Sequence, residues 1–138
     1  MNIDPFRVLP HDLNAEAAVL SVVLLDQPAL DALSGMLAPE HFYSAANARI
    51  FDAVLQLALS GQPYDTVRVA SWLSERQRIA GVGGAAYIAS IISDTPAVSD
   101  VTVHAKIILM KSRQRRVIEE AARIYTEGFS DVGDVEEW

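Results

Sequence analysis

The 138-residue sequence contains no cysteine. This absence excludes disulfides, thiolate metal sites and cysteine nucleophiles, and it is compatible with a reducing compartment. Basic residues are also scarce, since 11 lysines and arginines stand against 18 acidic residues and give a formal net charge of −7. Because non-specific nucleic-acid affinity comes from neutralising phosphates, we expect no strong direct DNA binding unless a local basic patch supplies it.

Long apolar runs are missing as well. The most apolar stretch, "VLSVVLL" at 19–25, is far shorter than a membrane span, and "MNIDPFRVLPHDL" at the start lacks the basic and apolar regions of a secretory signal. We therefore expect a cytoplasmic chain without membrane association. With 51% hydrophobic residues and only seven glycines and six prolines, the composition favours one packed domain over disorder.

Several catalytic patterns do not occur in the 138 residues. There is no G-x-x-x-x-G-K-[ST] phosphate loop and no G-x-S-x-G elbow, and the three histidines, His11, His41 and His104, are widely spaced. We expect no catalytic residue, no metal site and no cofactor in this chain.

The stretch "RIAGVGGAAYIASII" at 78–92 does match G-x-G-x-x-A, through Gly81, Gly83 and Ala86. A dinucleotide fingerprint would need an apolar strand before it, whereas "LSERQRIA" is charged and helical in character. The match therefore favours a tight turn between two helices, where glycine permits a left-handed backbone. A small nucleotide-binding enzyme built on this corner is the alternative, and binding of ATP or NAD would reveal it.

Apolar spacing and capping residues predict an all-α fold. Asp12 caps a helix that starts at Leu13 and whose apolar face is Leu13, Ala17, Leu20 and Leu24. Further helices are predicted at 29–36, at 44–60 with Gly61 and Pro63 closing it, at 65–78 with Asp65 as cap, and at 84–93.

The last predicted helix, at 99–127 with Gly128 as C-cap, would be about 42 Å long and should project beyond the head. Its apolar residues advance by alternate steps of four and three, which is the spacing of a helix that packs lengthwise on another helix. We call these residues the seam: Val103, Ile107, Met110, Gln114, Val117, Ala121 and Ile124. Such a seam needs a partner, which is either another subunit or a returning hairpin arm that starts at the ending "SDVGDVEEW".

Four basic residues cluster on the same helix: Lys111, Arg113, Arg115 and Arg116. Three interpretations of this cluster are open: a solvated helix face, a surface for an acidic partner, or a local phosphate contact. Glu119 and Glu120 are spaced to pair with Arg115 and Arg116 at i, i+4, which argues against DNA.

The order of these segments resembles the N-terminal domain of the bacterial replicative DNA helicase of the DnaB type. The resemblance covers about residues 9–129 and is carried by "LPHDLNAEAAVLSVVLLD", "EHFYSAANARIF", "SGQPYDTVRVASWL", "GVGGAAYIASIISDTPAVSDVTVHAKII" and "RRVIEEAARIYTEGF". The chain departs from the family pattern at Asn14, at Ser21 and Val22, and at His104, where a tyrosine is frequent. The first two departures concern helix packing, and the third concerns the hairpin or partner surface.

The resemblance implies an extended arm at 1–11, a compact head of about five to six helices at 12–97, a long helix at 98–128 as the first arm of a helical hairpin, and the start of a truncated second arm or linker at 129–138. In the family, six copies form a trimer-of-dimers collar on which the C-terminal domain of primase docks, and a separate motor domain binds ATP and Mg²⁺. This implies a non-catalytic assembly and docking module, with a helicase loader as a further possible partner.

Matched residue by residue, the resemblance gives two sets of candidate contacts. Those for primase are Tyr87, Ile118, Ile124, Phe129, Arg115 and Arg116, and those for self-association are Val103, Ile107, Met110, Gln114, Val117 and Ala121. The alternative for these residues is a purely structural role, in which Tyr87 caps the head's core and Ile118 and Ile124 only pack the hairpin. The competing assignment for the whole chain is the helicase-binding C-terminal domain of a primase, which shares a similar helical head.

Overall fold

The computed structural model describes residues 7–130, and all of the regular structure within them is helical. The α-helices are α1 (Leu13–Leu25), α2 (Gln27–Leu33), α3 (Ala45–Leu59), α4 (Thr66–Glu75), α5 (Gly84–Asp94) and α6 (Val101–Glu127), with 3₁₀ turns at Pro39–His41 and Ala80–Val82. The all-α prediction is therefore confirmed. None of these helices has the length and apolar character needed to cross a membrane.

Short polar side chains start four of the helices, as capping physics requires. Asp12 accepts the Ala15 N–H at 2.9 Å and Asp65 accepts the Arg68 N–H at 2.8 Å, so both predicted caps are confirmed. Asp100 accepts the Thr102 N–H at 3.0 Å, and α6 accordingly begins at Val101 rather than at 99.

The bounds of two helices were predicted wrongly. α2 covers Gln27–Leu33 instead of 29–36. It begins earlier because Asp26 is its N-cap and Pro28 lies within its first turn, and it ends earlier because a tight turn follows Leu33. α4 ends at Glu75 instead of 78, because Gln77 adopts a left-handed φ of 58° and the Arg78 N–H returns to the Leu73 carbonyl at 2.8 Å. This is the Schellman ending that usually places glycine at the left-handed position.

The glycine-rich stretch forms the corner between α4 and α5. Gly83 and Gly84 have φ values of 93° and 78°, and the Gly84 N–H donates to the Ile79 carbonyl at 2.9 Å. Residues with a Cβ rarely adopt this backbone. The prediction of a tight turn between helices is confirmed.

α1 lies at the centre of the head and contacts α2, α3, α5 and α6. It is consequently buried around most of its circumference, at Ala15, Glu16, Ala18, Val19, Leu20, Ser21, Val23 and Leu24. The predicted face was correct at Leu20 and Leu24 but wrong at Leu13, which is exposed at the outer end of the helix.

α6 packs on α1 and on the Pro39–His41 turn. Its buried residues are Ala105, Ile108 and Arg115, and residues 116–127 contain no buried residue. Those last 12 residues extend about 18 Å past the point of attachment. The predicted projection of this helix beyond the head is thus observed.

Candidate protein-docking site

Most of the seam lies on the side of α6 that faces away from the head, whereas Ile107 packs against the core. At about 100° per residue, that side is diametrically opposite the buried stripe of Ala105, Ile108 and Arg115. Val103, Met110, Val117 and Ile124 are 52%, 51%, 67% and 53% exposed, Ile107 and Ala121 are half-buried, and Gln114 is exposed. α6 is therefore apolar on two sides, and only one of them is covered within residues 7–130.

A second apolar surface lies beside the distal part of the seam. Ile118, Tyr125 and Phe129 are exposed, and the rings of Tyr125 and Phe129 meet edge to face with their centroids 5.1 Å apart. Together with Val117 and Ile124 they leave the end of α6 more apolar than a solvated helix face. We call these five residues the distal patch. The start of a second arm, predicted from 129 onward, lies outside the described residues apart from Phe129 and Ser130.

Tyr87 is held in place by a buried polar network. Its hydroxyl donates to Asn47 Oδ1 at 2.6 Å, and Asn47 Nδ2 donates to Glu16 Oε1 at 3.0 Å. Glu16 is only 2% exposed, and its other carboxylate oxygen accepts the Tyr43 N–H at 2.8 Å. The network ties α1, α3 and α5 together and fixes the orientation of the Tyr87 ring.

Burial raises the pKa of Tyr87, and the negative charge of Glu16 raises it further, while the hydrogen bond with Asn47 acts in the opposite direction. The Tyr87 hydroxyl thus remains a proton donor at neutral pH. Its ring lines a groove of about 550 Å³ between α1, α5 and the start of α6, in which Asn14 and His104 also lie. Two positions that depart from the family pattern therefore border the same groove as Tyr87.

The structure does not gather the candidate primase contacts into one surface. His104, which marks the Tyr87 groove on α6, is 14 residues from Ile118, or about 21 Å along the helix axis. Ile118, Ile124 and Phe129 belong to the distal patch. One partner would have to span this distance or contact two copies of the chain.

Arg115 differs most from its predicted environment. It is 8% exposed, and its guanidinium donates to the Pro10 carbonyl at 2.9 Å and to the His41 carbonyl at 2.8 Å. It also lies over the Tyr43 ring, which stacks on His11 at 4.2 Å. Arg115 therefore anchors the N-terminal arm to α6, and this burial speaks against its use as a surface contact.

The charges after Arg115 also pair differently from the prediction. Glu120 binds Arg123 at 2.8 Å, and the same guanidinium reaches Glu127 at 2.9 Å. The expected pairs of Glu119 and Glu120 with Arg115 and Arg116 are not among the ion pairs of residues 7–130, because Arg115 turns inward. Arg116 remains exposed.

Sequence reasoning missed Glu16 as the centre of a network. A signal was present, since Glu16 is the only charged residue in the 13-residue segment "LNAEAAVLSVVLL". A lone charge within an apolar helix is expected to have buried hydrogen-bonding partners. Those partners are 27 to 31 residues away, so the pattern of α1 alone did not identify them.

Comparisons with known proteins consistently identify one family. Residues 8–110 match the model of the DnaB-like helicase N terminal domain. The chain is 35% identical over 130 residues to the replicative DNA helicase DnaB of Geobacillus stearothermophilus and 34% identical over 131 residues to the replicative DNA helicase DnaC of Bacillus subtilis. The matches cover 94% and 95% of this chain but only 29% of each helicase.

Solved structures agree with this result. The N-terminal domain of DnaB helicase from Mycobacterium tuberculosis superposes with a TM-score of 0.88 at 34% identity, covering 94% of this chain and 92% of that one. The N-terminal domain of DnaB helicase from Helicobacter pylori, described together with its interactions with primase, has a TM-score of 0.74 at 20% identity, covering 85% and 91%, and shows the fold alone. The chain belongs to the family of DnaB-like helicase N-terminal domains.

Proposed function

We propose that this chain is a non-catalytic assembly and docking module of a hexameric replicative helicase, acting in DNA replication and primosome formation. The observation that carries the proposal is the uncovered apolar face of α6, opposite the face that packs on the head. ATP and Mg²⁺ would be bound by a motor domain in the remaining length of the relatives. The family match favours this function over that of a primase C-terminal domain.

Self-association would use the seam. Its heptad spacing fits a parallel or antiparallel helix partner, and burying Val103, Met110 and Val117 would remove exposed apolar side chains from water. In the full helicase this pairing would contribute to a dimer and to a trimer-of-dimers collar.

Docking of primase would use Tyr87 and the distal patch. The primase interactions described for the Helicobacter pylori domain support this choice of partner. Tyr87 is rigidly oriented, and Ile118 and Phe129 are exposed, which are properties of residues that anchor a protein interface. A helicase loader is a further candidate partner for the same module.

The docking proposal is tested by calorimetric titration of the 138-residue protein with the C-terminal domain of the cognate primase. Ile118→Asp should weaken binding by at least about tenfold, because a charged side chain would be desolvated in an apolar contact. Val67→Asp is the matched control: Val67 is 75% exposed on α4, away from α6, and its substitution should leave the affinity unchanged. Equal loss in both variants, or no loss in either, would count against docking at the distal patch.

A further inference from the structure

A pocket of about 430 Å³ lies between the 35–41 segment and the middle of α6. Its polar lining consists of His41, Ser112, Arg113 and Arg116, Met36 and Leu109 supply apolar wall, and no acidic residue contributes to it. At about 100° per residue, Arg113 and Arg116 lie on the flank of α6 opposite Ile118 and Tyr125. The pocket thus lies away from Ile118 and Tyr125 but borders the seam, because Arg113 is one helical turn from Met110 and from Val117.

The two arginines of the pocket have no carboxylate partner among residues 7–130. None of the ion pairs of residues 7–130 involves Arg113 or Arg116, and Glu120, one turn beyond Arg116, is bound to Arg123. Both residues are exposed, and neither guanidinium donates a hydrogen bond within the described part of the chain. A guanidinium presents these donors as a planar fork that matches a carboxylate or phosphate.

His41 supplies a further hydrogen-bond donor to the lining of the pocket. Its Nδ1 accepts the Ala38 N–H at 2.9 Å, so the neutral ring carries its proton on Nε2. Nε2 has no hydrogen-bond partner among the described residues, and the Ser112 hydroxyl lines the same pocket. The pocket therefore offers three kinds of hydrogen-bond donor: guanidinium, imidazole and hydroxyl groups.

A buried positive charge lies behind the pocket. Arg115 donates only to the carbonyls of Pro10 and His41, and within residues 7–130 no carboxylate comes within 4 Å of it. Buried charges are normally paired because desolvation is costly. Glu16, the buried carboxylate on the other side of the 41–44 segment, is occupied by Tyr43, Ser44 and Asn47. The charge of Arg115 thus adds to the positive potential at the pocket.

We propose that this pocket binds a carboxylate side chain from an acidic segment of a protein partner. Nucleic acid is disfavoured, because the chain carries a net charge of −7 and no aromatic side chain other than the His41 ring lines the pocket for base stacking. Met36 and Leu109 suit the aliphatic stem of a glutamate or an adjacent apolar residue.

The test uses ¹⁵N-labelled 138-residue protein and a capped Leu-Glu-Glu-Leu peptide, with the capped Leu-Gln-Gln-Leu peptide as the uncharged comparison. The acidic peptide should cause saturable shifts of the Gly35 and Ser112 amide signals, and the glutamine peptide should cause none. Arg113→Gln/Arg116→Gln should weaken binding at least about tenfold. Lys106→Gln/Lys111→Gln removes the same charge outside the pocket and should retain binding within about twofold.

The alternatives give different results. Equal weakening in the two double variants would show non-specific attraction and overturn the proposal, as would equal binding of the glutamine peptide or the absence of saturable shifts. Inorganic phosphate that shifts the same signals as strongly as the peptide would indicate a free-anion site instead, and tighter binding of a single-stranded oligonucleotide would indicate nucleic acid. If the arginine double variant has a generally altered spectrum, Arg113→Gln and Arg116→Gln singly must each weaken binding for the proposal to stand.

Discussion

The Tyr64 hydroxyl connects a loop to the central helix of the head through one hydrogen bond. Tyr64 lies in the segment between α3 and α4, and its O–H donates to the Val23 carbonyl of the central helix at 2.7 Å. Burial, followed by the charges of Asp31 and Asp26, raises its pKa from 10.0 to about 12. The hydroxyl must stay protonated to make this hydrogen bond, which links a loop to the core.

The raised pKa predicts a loss of stability at high pH. In the unfolded chain Tyr64 ionises near pH 10, whereas in the fold it ionises at about 12, so its contribution is complete below pH 10 and disappears as the pH rises toward 12. Tyr64→Phe should lower the free energy of unfolding by about 1 kcal/mol at neutral pH and make it fall less steeply above pH 10. Urea unfolding at several pH values measures both effects.

Tyr125→Phe is the control for this experiment. Tyr125 is exposed on the distal turns of α6, and its substitution should leave the pH dependence as in the wild type. An unchanged slope in Tyr64→Phe would show that other groups cause the alkaline loss of stability.

At the scale of single elements, Arg115 joins α6 to the N-terminal arm. It forms hydrogen bonds with Pro10, 105 residues away, and with His41, 74 residues away. Arg115→Met keeps much of the side-chain volume but leaves both carbonyls without their charged donor. We expect it to lower the free energy of unfolding by about 2–4 kcal/mol.

Circular dichroism during urea unfolding would measure this loss. Arg113→Met, two residues away and exposed, should change stability by less than about 0.5 kcal/mol. Arg115→Lys should be intermediate, because an ammonium does not reproduce the fork that reaches two carbonyls. A stability of Arg115→Met equal to that of Arg113→Met would refute the anchoring role.

Elements with local signals were predictable from the sequence. The starts at Asp12 and Asp65 and the glycine corner depend on residues within a few positions of each other. The end of α4 was not predictable, since Gln77 occupies a left-handed position that glycine normally fills. The face of α6 that meets the head was also missed, because both sides of the helix are apolar and the inward side includes an arginine.

For the candidate site too, only the features with local sequence signals were predictable. Spacing located the seam, and the structure leaves Val103, Met110, Val117 and Ile124 exposed, but their use by another chain remains a prediction. The inward turn of Arg115 and the network of Glu16, Asn47 and Tyr87 depend on contacts between distant residues. The apolar periodicity of a single helix contains no information about contacts with residues far away in the sequence.

For the whole molecule, the uncovered seam predicts concentration-dependent self-association. Val117 is 67% exposed near the start of the projecting part of α6, and a carboxylate there would have to be desolvated in any helix pair. Val117→Asp should therefore shift the protein toward the monomer, as measured by sedimentation equilibrium over a range of concentrations. Val67→Asp should behave as the wild type, and a wild-type protein that remains strictly monomeric would contradict the prediction.

The attachment of α6 has a mechanical consequence. The helix is held by the head as far as Arg115, and within residues 7–130 it is supported, like a cantilever, at that end only. A sideways force on Phe129 would produce its largest bending moment at the clamp, where Arg115 connects to the arm and to the His41 turn. Strain applied by a partner at the tip would thus be felt first by the segment around Pro10, 105 residues away from Arg115 in the sequence.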